Sequence, residues 1–355
     1  ILLIIYKMSR SVLLITGAGG WLGNTLLEIL SESKVSKDYD VIIIFSLFQK
    51  EFKKLKLTRD KFSKNKIILK SIYGEITDKS IYLKLNKFLN NDDKLSIIYA
   101  LSIIHAKSAK EFKLINCYGL ERFVENIKNK NLQKFVYISS NSPFGFNNSK
   151  NKFNELSKYS PIGNYGKTKM IAEKFLKNNL PKNKLKIIRS PWFHGPNMPE
   201  RQKLFLRKVA IGSFPIIYPG NNKRSIINTI DLSKAILNLL KYKSDHTIYC
   251  VCEPKSIKMY DLISLIQKTA KDLEIEKVTN KNILFLPPLT SNIFIVFDRL
   301  VQKLGLYSKI IHVMSELGMN IEMDSSRYRN EFPDHKFISI NKSINHELKE
   351  AIRKH

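Results

Sequence analysis

Residues 11–30 read SVLLITGAGGWLGNTLLEIL. SVLLITG (11–17) is a continuous apolar run ending on glycine, the pattern of a strand buried on both faces of a parallel sheet. WLGNTLLEIL (21–30) repeats its apolar residues at helical spacing. Between them, TGAGGWLG sets Gly17, Gly20 and Gly23 as G-x-x-G-x-x-G. The first glycine permits a tight turn, the second lets a pyrophosphate approach the backbone, and the third lets helix and strand pack closely. The helix N-terminus then offers unpaired amides and the positive end of its dipole to phosphate. Such glycines alone are a weak signal. Joining a buried strand to an amphipathic helix, they indicate a dinucleotide site.

The pattern continues outward. YDVIIIFS (39–46), NKIILKSI (65–72), KLSIIYAL (94–101), KFVYISS (134–140) and LKIIRS (185–190) read as further strands. Helical stretches intervene, TDKSIYLKLNKFL (77–89) and EFKLINCYGLERFVENIK (111–128) among them. Alternation of this kind predicts an α/β fold with a doubly wound parallel sheet of the Rossmann type. After about residue 190 the pattern becomes irregular and prolines gather at 191, 196, 199, 215 and 219. We therefore expect a nucleotide-binding domain over 9–190 and a smaller, mainly substrate-binding region over 191–350, some segments of which return to the sheet.

The chain has 355 residues, 43% of them hydrophobic, and a formal charge of +29 from 60 Lys and Arg against 31 Asp and Glu. Such an excess suits nucleic acid or an anionic surface. No basic block interleaved with aromatics stands out, so nucleic acid is not an expected partner, and a positive field drawing in an anionic small molecule fits better. Cys117, Cys250 and Cys252 lack zinc spacing, and Cys250 and Cys252 stand too close for a relaxed disulfide. Free thiols and a cytoplasmic location, at the inner face of the membrane if a lipid-linked substrate is used, are the expectation. ILLIIYKM (1–8) is too short to span a bilayer, and Met8-Ser9 reads as a natural start. His105 and His194 have no metal-ligand spacing and read as loop or core histidines.

NYGKTK (164–169) precedes another helical run, MIAEKFL. On a helix Tyr165 and Lys169 share one face. A free tyrosine titrates near ~10, too high for a base at neutral pH, and a neighbouring ammonium favours the phenolate. A lysine-rich chain produces Tyr-x-x-x-Lys easily by chance, so the pair gains meaning only from company. TGAGGWLG, GEITD (74–78), VYISSNSPFG (136–145), YGKTK, IIRSPWFHGP (187–196) and NTIDLSKAI (228–236) occur in that order. Together they resemble the extended short-chain dehydrogenase/reductases, the NAD-dependent epimerase/dehydratase family, over roughly residues 10–350.

The resemblance implies that Tyr165 is the acid/base, Lys169 lowers its pKa and bonds the nicotinamide ribose, and Ser140 orients the substrate oxygen. Ser140 is the match because it lies four residues before the aromatic of the Pro143-Phe144-Gly145 turn. Ser139 is the alternative, and strand alternation turns one of the two away. Asn116 matches an asparagine that supports this site, with an ordinary helix-polar role as the other reading. The same resemblance lays Gly17, Gly20, Trp21, Leu22, Gly23, Ser46, Glu75, Ile76 and Ala100 along the cofactor. Glu75 stands where the family has Asp and would reach the adenine amine, whereas Asp78 reads better as a helix-start acid.

Two departures bear on cofactor and substrate. The acid that meets the adenosine ribose at the end of the second strand is replaced by Phe45, followed by Ser46. Lys50, Lys53 and Lys54 lie downstream and are candidates for a 2′-phosphate, so NAD and NADP both stay open. The family's nucleotide-contacting Asn is Trp192 here, yet Arg224 is kept where a guanidinium grips a diphosphate. This combination resembles members acting on polyprenyl-diphosphate-linked sugars, and the branch related to 3β-hydroxysteroid dehydrogenases.

The apolar stretch 283–307 is expected either to close the substrate pocket or, with the lysine excess, to rest on an anionic bilayer. Sequence alone thus points to an NAD(P)-dependent epimerase or dehydratase of an activated sugar. The alternatives are a reductase or dehydrogenase of a small-molecule hydroxyl or carbonyl, and a catalytically silent cofactor-binding scaffold. A homodimer through helices that include the Tyr165 helix is implied by the resemblance.

Overall fold

The computed structural model describes residues 9–49, 51, 56–127, 130–147, 151–275 and 283–353. Strands β1 (Ser11–Thr16), β2 (Val41–Ser46), β3 (Ile68–Tyr73), β4 (Lys94–Tyr99), β5 (Asn131–Ile138) and β6 (Leu185–Arg189) fall where the apolar runs predict them. Helices α1 (Trp21–Glu32), α2 (Lys56–Lys64) and α3 (Lys79–Phe88) separate the early strands. The stretch before β5 is a composite of α4 (Ala109–Lys113), a π-wound turn (Leu114–Tyr118) and α5 (Gly119–Ile127). Helix α6 (Asn164–Asn179) carries Tyr165 and Lys169 and leads to β6.

Beyond residue 190 come β7 (Trp192–His194), α7 (Glu200–Ala210), β8 (Ile216–Ile217), β9 (Lys223–Arg224), β10 (Ile226–Asn228) and α8 (Thr229–Lys241). There follow β11 (Ile248–Cys250), β12 (Ile257–Lys258), α9 (Met259–Asp272), β13 (Phe285–Leu286), α10 (Thr290–Lys303), α11 (Lys309–Glu316), α12 (Ser326–Glu331) and α13 (Ile340–Ile352).

Seven strands form one parallel sheet in the order β3-β2-β1-β4-β5-β6-β11. Its inner strands are buried on both faces because helices cover both, whereas the edge strand β3 keeps exposed residues such as Ile68 and Tyr73. On one face Leu85, Leu120, Phe123 and Leu176 of α3, α5 and α6 pack against Leu14, Ile43, Ile97 and Phe135. On the other, Leu26 and Leu30 of α1 meet Leu232 and Ile236 of α8 over Ile15, Ile44 and Ile98. A third cluster joins Leu206 and Val209 of α7, Ile263 and Ile266 of α9, and Ile344 and Leu348 of α13.

The strand order reverses between β1 and β4. In an open parallel sheet the crevice outside the carboxyl ends at that point is where ligands sit. Gly17 follows β1 there and Ala100 follows β4, and both were expected along the cofactor.

Candidate active site

The turn after β1 is shaped by what a side chain would strike. Gly17 has φ +70°, and a Cβ on it would lie 2.8 Å from the Ala100 carbonyl carbon. A Cβ on Gly23 would collide with the Gly17 and Ala18 carbonyl oxygens. Bare backbone therefore lines the crevice. Gly20, the N-cap of α1, makes no side-chain capping bond, and the first turn holds no acid. The amides of Trp21, Leu22 and Gly23 and the positive dipole end are left for an anion, so this cradle fits a dinucleotide pyrophosphate.

Ser46 lies buried, and its Oγ accepts from the Gly19 amide at 2.8 Å, tying the strand end to the glycine turn. Phe45 is buried in the sheet. Glu51, five residues past the strand, lies against the same turn. A Cβ on Gly19 would stand 3.0 Å from its Oε2. Sequence reading weighed the lysines that follow the strand but not this acid among them, because nothing local marks which of those charges folds back on the glycine turn. Lys50, Lys53 and Lys54 lie outside the described residues. Ile76 is buried, and its carbonyl accepts from the Tyr82 hydroxyl at 2.6 Å. Glu75 beside it is exposed. Asp78 caps α3 through the Ser80 amide at 2.8 Å, a helix-start role.

At the other end of the crevice, Tyr165 and Lys169 stand one turn apart on α6. Gly166 lets that helix start close to the 139–145 loop, since any Cβ there would strike the Ser142 carbonyl oxygen. This approach brings the Tyr165 phenol within reach of the Ser140 and Ser102 hydroxyls. Ser140 also bonds its neighbour Ser142, with 3.1 Å between hydroxyls. Ser139 points the opposite way, its Oγ donating to Glu173 Oε1 at 2.5 Å.

Asn116 sits in the π-wound turn. Its Oδ1 accepts from the Ile103 amide at 2.9 Å, and its Nδ2 donates to the Ile103 carbonyl at 3.0 Å and to Thr168 Oγ1 at 3.2 Å. One amide thereby locks the segment after β4 to α6 between Tyr165 and Lys169.

The electrostatics differ from the sequence expectation. Burial pushes the Tyr165 phenol up to about 12, against the hydroxyls of Ser102 and Ser140 and the charge of Arg201, which pull it down. Burial also draws Lys169 down to about 7, against the charge of Glu173 one turn on. Its Nζ donates to the Ile138 carbonyl at 2.7 Å and lies 4.7 Å from the centre of the Tyr137 ring. Desolvation thus outweighs the expected lowering of Tyr165 by Lys169. Glu173 is fully buried and paired with buried Arg189 at 2.7 Å, with the Tyr159 hydroxyl on the same carboxylate at 2.8 Å. Sequence reading passed over Glu173 because a glutamate on a lysine-rich helix looks like surface.

The far wall of the crevice is the α10–α11 hairpin. The Tyr307 hydroxyl meets His105 Nδ1 at 2.9 Å, and its ring packs edge-on against Phe112, which in turn lies 6.4 Å from the Tyr165 ring. Gln302 Oε1 accepts from the Asn164 amide at 2.5 Å, at the first residue of α6. A pocket beside Tyr165 is lined by Asn141, Phe146, Ile162, His312 and Glu316. Arg224 donates to the Glu316 carbonyl at the hairpin's end, so its guanidinium is already engaged. Trp192 packs edge-on against Phe205 of α7 at 5.1 Å. Trp21 bridges the first turn of α1 to the Pro196 carbonyl at 2.7 Å.

Arg201 was not anticipated. It is exposed on the first turn of α7, its charge is felt at Tyr165, and it has no partner among the described residues. Elsewhere, His194 is held between Glu253 (2.6 Å) and Glu347 (2.9 Å) in the core, as a structural histidine. All three cysteines are free and buried. Among the described residues no cluster of His, Cys, Asp and Glu can hold a metal, and no helix is long and apolar enough to cross a membrane.

A seven-stranded parallel sheet, a bare glycine turn at its switch point and a Ser/Tyr/Lys group at the other end of the crevice define a dinucleotide-dependent enzyme of the short-chain dehydrogenase/reductase superfamily. The chain belongs to the NAD dependent epimerase/dehydratase family, whose model matches residues 13–252. An uncharacterized protein of Sinorhizobium fredii is 28% identical over 91% of this chain and 90% of its own length. Human dTDP-D-glucose 4,6-dehydratase is 26% identical over 74% of this chain and 76% of its own. Among solved structures, dTDP-glucose 4,6-dehydratase of Bacillus anthracis, in complex with NAD, superimposes with a TM-score of 0.71 at 16% identity, covering 96% of each chain. UDP-glucose 4-epimerase of Thermotoga maritima, with UDP-glucose, gives 0.70 at 14% identity over 95% of this chain and 97% of its own. The family is NAD-dependent, and the likeness to the solved structures is one of fold.

Proposed function

We propose that the protein epimerizes or dehydrates an activated sugar, using NAD, with Tyr165 as the acid/base. The observation that carries this reading is the meeting of the Tyr165 phenol with the Ser140 hydroxyl in the crevice that the glycine cradle opens, with Lys169 one turn away. When bound, NAD would take up a hydride from a sugar carbon and hand it back. Gly17, Gly20 and Gly23 with the first amides of α1 hold its pyrophosphate in this reading. Glu51 takes the adenosine ribose hydroxyls in place of the acid missing at Phe45.

Tyr165 removes the proton from the sugar hydroxyl and returns one to the resulting carbonyl oxygen. Ser140 donates to the same oxygen and stabilises its developing charge. Burial keeps the phenol protonated in the free protein, so proton removal depends on the groups that favour phenolate: Ser102, Ser140 and Arg201. Asn116 and Glu173 act through position, the first fixing α6 and the second sustaining charge on Lys169. Arg201, without a hydrogen-bond or ion-pair partner among the described residues and with its charge felt at Tyr165, is the cation best suited to the substrate's phosphate, with Arg224 nearer the hairpin. Leu114, Tyr118 and Ile171, exposed on the π-wound turn and α6, support a homodimer through those helices.

The test begins with the nucleotide released from purified, denatured protein, followed by turnover of dTDP- and UDP-hexoses. Near-stoichiometric NAD with a redox-neutral product supports the proposal. An empty protein that consumes NADPH with a ketone would favour the reductase reading. Full turnover by Tyr165→Phe would overturn the assigned chemistry.

A further inference from the structure

The α10–α11 hairpin has a second face, turned away from the crevice. Leu289, Ile293, Val296, Phe297, Leu300 and Leu304 form a continuous stripe along α10, each more than half exposed. Their spacing keeps them on one side of the helix for about 22 Å. Buried Ser291, Asp298 and Gln302 occupy the opposite side, facing the protein. Of the 24 large hydrophobic side chains exposed among the described residues, 11 lie between 284 and 313. A soluble surface rarely gathers so much apolar area in one place unless something covers it.

Charge says what covers it. Arg299, Lys303 and Lys309 are exposed along the stripe and just past its end, and Lys107 and Lys110 flank the Ser108–Leu306 bridge beside it. The single acid between 284 and 313, Asp298, is fully buried against Gln302 and His312. An apolar stripe bordered by cations with no exposed acid matches the interface of an anionic bilayer, apolar below and negative at the headgroups. A second copy of this chain matches poorly at this face, because Arg299, Lys303 and Lys309 of one copy would meet the same cations of the other.

We infer that the α10–α11 hairpin docks the protein on an anionic membrane surface, with α10 lying in the plane of the headgroups. The inference is independent of the catalytic assignment. The hairpin's other face holds Tyr307 and Gln302 against the crevice, so docking would leave the hairpin alone between the lipid surface and the crevice.

Flotation of the full chain with vesicles of phosphatidylcholine alone, or mixed with phosphatidylglycerol, tests this. The expected result is binding to phosphatidylglycerol vesicles and at least tenfold weaker binding to phosphatidylcholine, the former lost in high salt. Ile293→Gln/Val296→Gln/Leu300→Gln should lower binding at least tenfold while melting temperature and NAD binding hold, and Leu83→Gln, an exposed apolar residue on α3, should change nothing. Should the triple variant fold poorly, Arg299→Glu/Lys303→Glu leaves the stripe intact and must still weaken binding. No wild-type binding to anionic vesicles, or undiminished binding by a folded triple or charge-reversal variant, would overturn the inference. So would a wild-type dimer that the triple variant converts to monomer, since the stripe would then be a chain–chain interface.

Discussion

The crevice has two walls built on different principles. The β1–α1 wall is backbone: Gly17, Gly20 and Gly23 shape it by what they lack, and the glycine spacing that makes it spans only seven residues. The α10–α11 wall is side chain: Tyr307 reaches His105, Gln302 reaches Asn164, and Arg224 reaches the Glu316 carbonyl, each across 92 residues or more. Backbone walls suit what is common to many substrates. Side-chain walls can change one residue at a time and suit what distinguishes them.

Breaking the chemistry where the walls meet should have the largest effect. Tyr165→Phe should lower kcat by about 10²–10⁴-fold, the usual range for a lost acid/base, with NAD still bound. Steady-state turnover beside nucleotide release from denatured protein checks both halves. On the backbone wall, Gly23→Ala should weaken NAD binding by about 100-fold or more, because its methyl must displace the Gly17 and Ala18 carbonyls. Isothermal titration measures it, and an unchanged Kd would mean the turn does not hold the pyrophosphate. Glu51→Gln tests a finer point on the same wall. NAD affinity should drop by about tenfold and the preference over NADP should narrow, as a lost charge-assisted hydrogen bond predicts.

On the side-chain wall, Tyr307→Phe should be mild, raising KM several-fold with kcat nearly unchanged. Equal effects on both constants would place Tyr307 in the chemistry instead.

A remote prediction isolates stability from catalysis. Burial alone would lower His194, but its bonds to Glu253 and Glu347 more than reverse that and raise it to about 9 from 6.5. A raised histidine stabilises the fold fully below the unfolded value and loses that contribution as pH rises through 9. His194→Gln should therefore cost about 3–5 kcal/mol at pH 6, the usual price of breaking a buried pair, and less at pH 10. Denaturant melts of both proteins at the two values give the difference.

How much could be read from sequence follows the same division. The strands and α1 were legible because buried parallel strands are continuous apolar runs and glycine spacing is local. Tyr165, Lys169 and Ser140 came from motif order, and the structure brings Ser140 and Tyr165 together while turning Ser139 toward Glu173. Glu51 and Arg201 were not legible, since an acid or arginine in a chain with 91 charged residues carries no local mark of what it faces. The raised Tyr165 was not legible either, because helical spacing predicts neighbours and says nothing of desolvation.

The seventh strand has a consequence for how such a chain can be recombined. β11 completes the sheet beside β6, and α8, from the same stretch, covers α1 through Leu232 and Ile236. A cut near residue 190 would strip both, exposing one face of α1 and leaving β6 as a raw edge. Exchange of substrate-binding parts between relatives therefore requires at least two separate segments to move, one on each side of 229–250, with the piece between them staying behind.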